Sequence, residues 1–263
     1  MKKLISKIDR LFFRGFFRQK YLLINANKKM GFLGGRFNYG FVVQYKKYDD
    51  SFINNLCDTY GSDKGEVSSN SNPYVWSSHN YADFYNLIFG LRRNDVRSVV
   101  ECGLGTNNPN IASSMGVNGK PGASLRVWRD YFPNANVIGC DIDGDVLFNE
   151  NRIKTFQCDQ TSSNSIHNFL CDAELVDDSV DIIIDDGLHK FFAGKCFFEN
   201  MISYLRADGI YIIEDINQTD VIKYKEYFSE LDETYEARFV YLKSPQLNFG
   251  GDNNLICVTK KSN

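Results

Sequence analysis

The chain predicts an α/β protein built on a doubly wound, mainly parallel sheet of seven strands. Three observations carry this. From residue 97 onward, short apolar runs rich in Val and Ile alternate with amphipathic stretches. Five of those runs end on carboxylates, and turns containing glycine follow the first and the fourth. Two later extended segments supply the remaining strands. With 263 residues, 43% hydrophobic and 24% charged, the chain can bury one large core and still carry an extension.

In chain order, residues 1–24 read as an amphipathic helix. Ile5, Ile8, Phe12 and Phe16 recur at helical spacing, flanked by Lys7, Arg10, Arg14 and Arg18. Such a helix suits an anionic membrane surface, and it equally suits a face of the protein body or of a partner subunit. Residues 25–48 have glycines and aromatics without a clean period and are expected to form an irregular arm. Residues 1–48 hold twelve Lys/Arg and one acid, Asp9; with a net charge of −3 for the chain, the rest carries −14. The expected organisation is a basic arm over 1–48, a helical cap over 49–95 covering the open end of the sheet, and the core over 96–263.

The cap contributes helices over 51–60 and 80–92, joined by the turn Gly61-Ser62-Asp63-Lys64-Gly65. In the core, strands are expected over 98–102, 136–141, 153–157, 180–185 and 209–213, with a late pair over 237–242 and 254–259. Helices are expected over 123–132, 162–170, 189–205 and 219–228. The segment 107–122 is a long Gly/Asn/Ser/Pro insertion.

Composition excludes some classes. An acidic balance argues against general nucleic-acid binding. No apolar run approaches the roughly 20 residues of a membrane span. The seven cysteines, an odd number without C-x-x-C spacing, fit a reduced cytoplasmic protein rather than a disulfide framework or zinc site. The expected location is therefore cytoplasmic, with peripheral membrane association through residues 1–24 as an option.

The strand ends carry the chemistry. Glu101, Asp141, Asp159, the pair Asp185/Asp186 and the pair Glu214/Asp215 close five consecutive strands, whose carboxyl ends converge on one crevice in this architecture. So many carboxylates repel one another unless a cation lies among them. The turn Gly103-Leu104-Gly105 lacks the third glycine of a dinucleotide fingerprint, and Asp141 lies 40 positions beyond Glu101 rather than about 20. A pyrophosphate sits badly beside Glu101. S-adenosylmethionine (SAM), with its cationic sulfonium and amino groups, fits better: Glu101 near the methionine end, Asp141 at the ribose hydroxyls, Asp159 at the adenine amino group.

Glu101-Cys-Gly-Leu-Gly105, Asp141 and Asp159-Gln160 resemble class I SAM-dependent methyltransferases. Asp186-Gly-x-His189 with Ile213-Glu214-Asp215 is similar to the metal-dependent macrolide-sugar O-methyltransferases and to the cephalosporin hydroxylase-like group. Tyr60-Gly-Ser-Asp-Lys-Gly65 and His79-x-Tyr81 resemble the same subfamily, including members associated with surface-glycan synthesis. The resemblance spans about residues 52–260. It implies a Rossmann-like methyltransferase fold and transfer of a methyl group to a sugar hydroxyl of a nucleotide-activated sugar or polysaccharide precursor, in a homo-oligomer.

On that resemblance, SAM meets Glu101, Gly103, Gly105, Asp141, Asp159, Gln160 and Asp185. Mg²⁺ or another divalent cation meets Asp186, Glu214 and Asp215, since hard carboxylate oxygens suit it. His189, whose imidazole titrates near neutrality, is the expected general base beside Asp186. Lys64, His79 and Tyr81 are expected substrate contacts. His167 stands apart on a surface helix. The competing readings are a nicotinamide-dependent sugar oxidoreductase or epimerase, and a non-catalytic scaffold on the same fold.

Overall fold

The computed structural model describes residues 40–44, 51–67, 73, 74, 76–243 and 253–261. The expected helix over 1–24 lies outside these residues, as does most of the arm over 25–48. The chain divides into Met1–Gly40 and Phe41–Asn263, with the α/β fold in the second unit.

Strand β1 (Gly40–Gln44) is followed by helices α1 (Phe52–Tyr60) and α2 (Tyr81–Phe89), then β2 (Ser98–Cys102), α3 (Ala123–Tyr131) and β3 (Asn136–Asp141). Next come β4 (Asn149–Glu150), β5 (Ile153–Gln157), α4 (Ser163–Asp172), β6 (Val180–Asp185) and α5 (Phe191–Met201). The chain closes with β7 (Leu205–Ile213), α6 (Gln218–Glu230), β8 (Tyr235–Lys243) and β9 (Asn254–Lys260). The sheet order is β1-β8-β9-β7-β6-β2-β3-β5-β4. The seven expected strands form its interior, and the short β1 and β4 extend the two edges. β2 pairs in parallel with β3 and β6, as do β3 with β5 and β6 with β7, while β9 runs antiparallel to β7 and β8.

The pattern of β6 explains its central place. All six of its residues are buried, as both faces of a parallel sheet demand. Alternate side chains feed opposite cores. Ile182 and Ile184 join Ile53 of α1, Phe84 of α2 and Trp128 of α3, whereas Ile183 joins Phe169 of α4, Phe198 of α5 and Tyr224 of α6. Three helices therefore cover each face.

Helices α1 and α2 pack into the core on the α3 face. Residues 49–95 also reach the strand ends, through the turn around Lys64, the segment around His79 and the Tyr81 and Tyr85 hydroxyls of α2. There the Lys64 carbonyl accepts from the amide of Ala82, and the Asp63 carbonyl from that of His79.

Candidate active site

The parallel strands deliver their carboxyl ends to a cavity of about 780 Å³. Its floor is the turn after β2. Gly103 and Gly105 have φ of 91° and 76°, a region costly for residues with a Cβ. A Cβ on Gly103 would lie 2.1 Å from the Asp186 carbonyl oxygen, and one on Gly105 2.0 Å from the Met115 sulfur. The two glycines thus let the backbone turn close beneath the cavity. Asp141 fixes the turn from β3: Oδ2 accepts from the Leu104 amide at 2.7 Å and Oδ1 from the Asp143 amide at 2.9 Å.

The acids expected to need a cation have one inside the protein. Lys64 is 2% exposed. Its Nζ bonds Asp186 Oδ2 at 2.6 Å, bonds Glu214 Oε2, and lies 3.3 Å from Glu101 Oε1. Burial favours a neutral amine, but the charges of Asp186, Glu214 and Glu101 reverse this and hold the Lys64 pKa well above the usual lysine range. Glu101 lies at the back of this group, fully buried. Its Oε2 accepts from Ser124 Oγ and Trp128 Nε1, each at 2.8 Å, and burial pushes its pKa up to about 7. Glu214 also accepts from the Tyr85 hydroxyl.

A second group opens to the cavity. Ligand atoms of Asp186, His189 and Asp215 lie within 4.8 Å of one another, the one such convergence of metal-binding side chains among the described residues. His189 Nε2 is 3.3 Å from Asp186 Oδ1, and Nδ1 is 3.7 Å from Asp215 Oδ2. These side chains are 17–29% exposed, against 0–3% for the Lys64 group apart from Asp186 itself. Burial disfavours the imidazolium, but Asp186 and Asp215 outweigh it and raise the His189 pKa to about 10. For Asp186, burial opposes ionisation and Lys64 and His189 overcome it, holding the carboxyl well below its usual range.

His189 does not begin a helix, as its spacing suggested. It sits in the loop before α5 with φ 56°, and Asp215 has φ 53°. Left-handed backbone at two β-carbon-bearing residues facing each other is local strain of the kind that collects at functional sites.

The cap residues meet the second group. The Tyr81 hydroxyl donates to Asp215 Oδ1 at 2.5 Å. His79 stacks on Tyr81 with centroids 4.5 Å apart, its Nε2 3.7 Å from the same oxygen. Asp159 lines the cavity, and its Oδ1 accepts from the amide and hydroxyl of Thr161. Glu101 and Asp185, expected against the cofactor, lie outside the cavity wall. Asp185 Oδ1 accepts from Gln160 Nε2 at 2.9 Å, while Gln160 Oε1 accepts from the Leu188 amide, so this pair braces the loop carrying His189. His167 makes its contact with Cys171 on α4 and takes no part in the site.

Sequence reasoning did not single out Tyr85, Ser124 or Trp128. A signal existed for Tyr85: it lies one helical turn after Tyr81, so the two hydroxyls reach the adjacent residues Glu214 and Asp215.

The sheet order and strand directions, with the glycine turn and acids at the strand ends, define the fold of class I SAM-dependent methyltransferases. The solved structure of MycE methyltransferase in complex with Mg and SAH has this fold at a TM-score of 0.55 and 23% identity, over 82% of this chain and 55% of that one. In sequence, the chain is related to sugar O-methyltransferases. It is 32% identical to 8-demethyl-8-alpha-L-rhamnosyl tetracenomycin-C 2'-O-methyltransferase of Streptomyces olivaceus, over 54% of this chain and 34% of the relative. It is 30% identical to mycinamicin VI 2''-O-methyltransferase of Micromonospora griseorubida, over 59% of this chain and 37% of the relative. The matches span about a third of the length of these curated relatives. No family model matches the chain.

Proposed function

We propose that this protein transfers the methyl group of SAM to a sugar hydroxyl with the help of a divalent cation. One observation carries the reading: the Asp186, His189 and Asp215 group faces the same cavity as the Gly103–Gly105 turn, Asp141 and Asp159. The named activities of the sequence relatives support it.

The cavity suits SAM. Asp141 takes backbone amides on both oxygens and is positioned in the cavity lining to accept from a ribose hydroxyl. Asp159 uses Oδ1 on Thr161, and among the described residues no donor reaches Oδ2, which we assign to the adenine amino group. Gly103 and Gly105 allow the methionine portion to approach the backbone. Glu101, Gln160 and Asp185 act from behind, through Lys64 and the His189 loop.

The two carboxylates of the Asp186, His189 and Asp215 group also suit a hard divalent cation such as Mg²⁺. Asp186 and Asp215 would hold it. Glu214, which the sequence also offered as a ligand, is engaged by Lys64 and Tyr85. Such an ion would make a sugar hydroxyl more acidic and would offset the charge of Asp186 and Asp215 beside His189. Neutral His189 then accepts the hydroxyl proton as the oxygen attacks the methyl carbon in line, and S-adenosylhomocysteine (SAH) leaves. Tyr81, through its bond to Asp215, and Gln160, through the Leu188 amide, keep the two sides of this group in register.

The finer reading is that the acceptor is a nucleotide-activated sugar or a surface-glycan precursor, methylated by a cytoplasmic homo-oligomer whose residues 1–24 contact the membrane. The described residues contain no helix long and apolar enough to cross a membrane. Calorimetry with SAM and NAD, then mass spectrometry of sugar acceptors incubated with SAM and Mg²⁺, tests the core reading. SAM is expected to bind and NAD not, with a gain of one methyl group that disappears in EDTA. His189→Ala is expected to lower turnover by about 10²–10⁴-fold. Tight NAD binding, full activity in EDTA or wild-type turnover of His189→Ala would each contradict it.

A further inference from the structure

Part of the cavity lining is unused by the methyl-transfer chemistry. It includes Asp63, Tyr74 and Trp76, with residues 110–115 and Lys120 of the insertion. Trp76 is 39% exposed, unusual for the largest apolar side chain. The indole is not adrift. It stacks on Tyr74 with centroids 4.9 Å apart and planes 25° apart, and its Nε1 donates to Asp63 Oδ2 at 2.9 Å. The same Asp63 gives its carbonyl to the His79 amide at 2.6 Å, which ties the indole to the segment that meets Asp215.

Lys120 belongs to the same part of the lining. Its side chain runs along Gly61, where a Cβ would lie 2.8 Å from Cδ, and the Gly61 carbonyl accepts from the Tyr74 hydroxyl. Tyr74 is thus gripped between the lysine's resting place and the indole. Lys120 is exposed, lines the cavity, and has no acidic partner among the described residues.

We propose that Trp76 and Lys120 form the acceptor subsite, and that the acceptor is a glycosyl phosphate, with its sugar ring on the indole and its phosphate at the lysine. This rests on the reading of the cavity as a sugar methyltransferase site and specifies its substrate. The C–H face of a pyranose is weakly positive and apolar, so it complements the negative face of an aromatic ring. Tyr74 and Asp63 hold that ring in place beforehand, which spares the ordering cost of binding. The Lys120 ammonium offers the phosphate a cationic partner in the cavity lining, separate from the Asp186, His189 and Asp215 group, and so sets which way round the acceptor lies. A glycosyl phosphate can come as a sugar 1-phosphate or as a nucleoside-diphosphate sugar, and both share this chemistry.

The chain has two tryptophans, and Trp128 is 1% exposed, so a ligand on this part of the lining reports through Trp76 emission. The 263-residue chain with SAH and Mg²⁺ is titrated with hexose 1-phosphates, nucleoside-diphosphate hexoses and the matching methyl glycosides, by fluorescence and calorimetry. The expected result is saturable binding of a glycosyl phosphate at least tenfold tighter than of its methyl glycoside. Lys120→Gln should erase that preference and Trp76→Leu should weaken binding tenfold or more, with SAM affinity within twofold of wild type in both. Comparison of the two phosphate series identifies the source. The proposal is overturned if no phosphate binds, if glycosides bind as tightly, or if Lys120→Gln keeps the preference. Loss of SAM binding in the wild-type protein would instead sink the methyltransferase reading.

Discussion

The site holds two acid clusters that share one residue, and they differ in what neutralises them. The inner cluster of Glu101, Glu214 and Asp186 Oδ2 encloses the Lys64 ammonium and accepts hydrogen bonds from Tyr85, Ser124 and Trp128. The outer cluster of Asp186 Oδ1, Asp215 and His189 faces the cavity and has an imidazole as its cationic member. Asp186 divides its two oxygens between them. The difference teaches that proximity to a strand end does not make an acid a ligand. A carboxylate oxygen held by the buried Lys64 is structural, and one turned to the Asp186, His189 and Asp215 group is open to chemistry.

Removing the inner cation should have the largest effect. Lys64→Met leaves buried carboxylates uncompensated, a loss of about 3–5 kcal/mol for a broken buried pair. Denaturant unfolding is expected to show a midpoint shift of that size; an unchanged midpoint would mean the cluster needs no cation.

The two tyrosines on α2 separate the clusters next. Tyr85→Phe removes the donor to Glu214 and should cost about 1–3 kcal/mol of stability. Tyr81→Phe removes the donor to Asp215 and should weaken Mg²⁺ activation by about 10–100-fold, as loss of a group supporting a ligand does. Equal effects of both variants on metal response would erase the distinction.

The smallest effect concerns Asp185, behind both clusters. Burial raises its pKa to about 6, from 3.8. The folded state then binds more protons than the unfolded chain between about pH 4 and 6, so this residue makes stability fall as pH rises through that window. Asp185→Asn keeps an acceptor for Gln160 and removes the charge. It should flatten that fall and stabilise the protein at pH 7–8 by on the order of 1–2 kcal/mol. A pH profile parallel to wild type would contradict this origin.

The sequence showed the sheet clearly because buried parallel strands need continuous apolar runs such as Ile182–Ile184, and it showed the acids because each ends such a run. It also signalled that the acids require a cation. It could not show that this cation is Lys64, which lies 122 residues before Asp186 and meets it only through docking of the turn on α2. The placement of His189 failed for a similar reason. Helix α5 begins at Phe191, whose amide is taken by Asp220 of α6 at 3.2 Å, a tertiary contact with no local trace. Amphipathic spacing found α1 and α2 but did not name the face they cover, since a stripe specifies burial and not its partner.

The division between the clusters is tested most directly by titrating Mg²⁺ into Asp215→Asn and Glu214→Gln, with SAM present, by calorimetry and by metal-dependent methyl transfer. A tenfold or greater loss of Mg²⁺ affinity is expected for Asp215→Asn, and less than a threefold change for Glu214→Gln. The reverse order, with Glu214→Gln losing the metal and Asp215→Asn keeping it, would contradict the division.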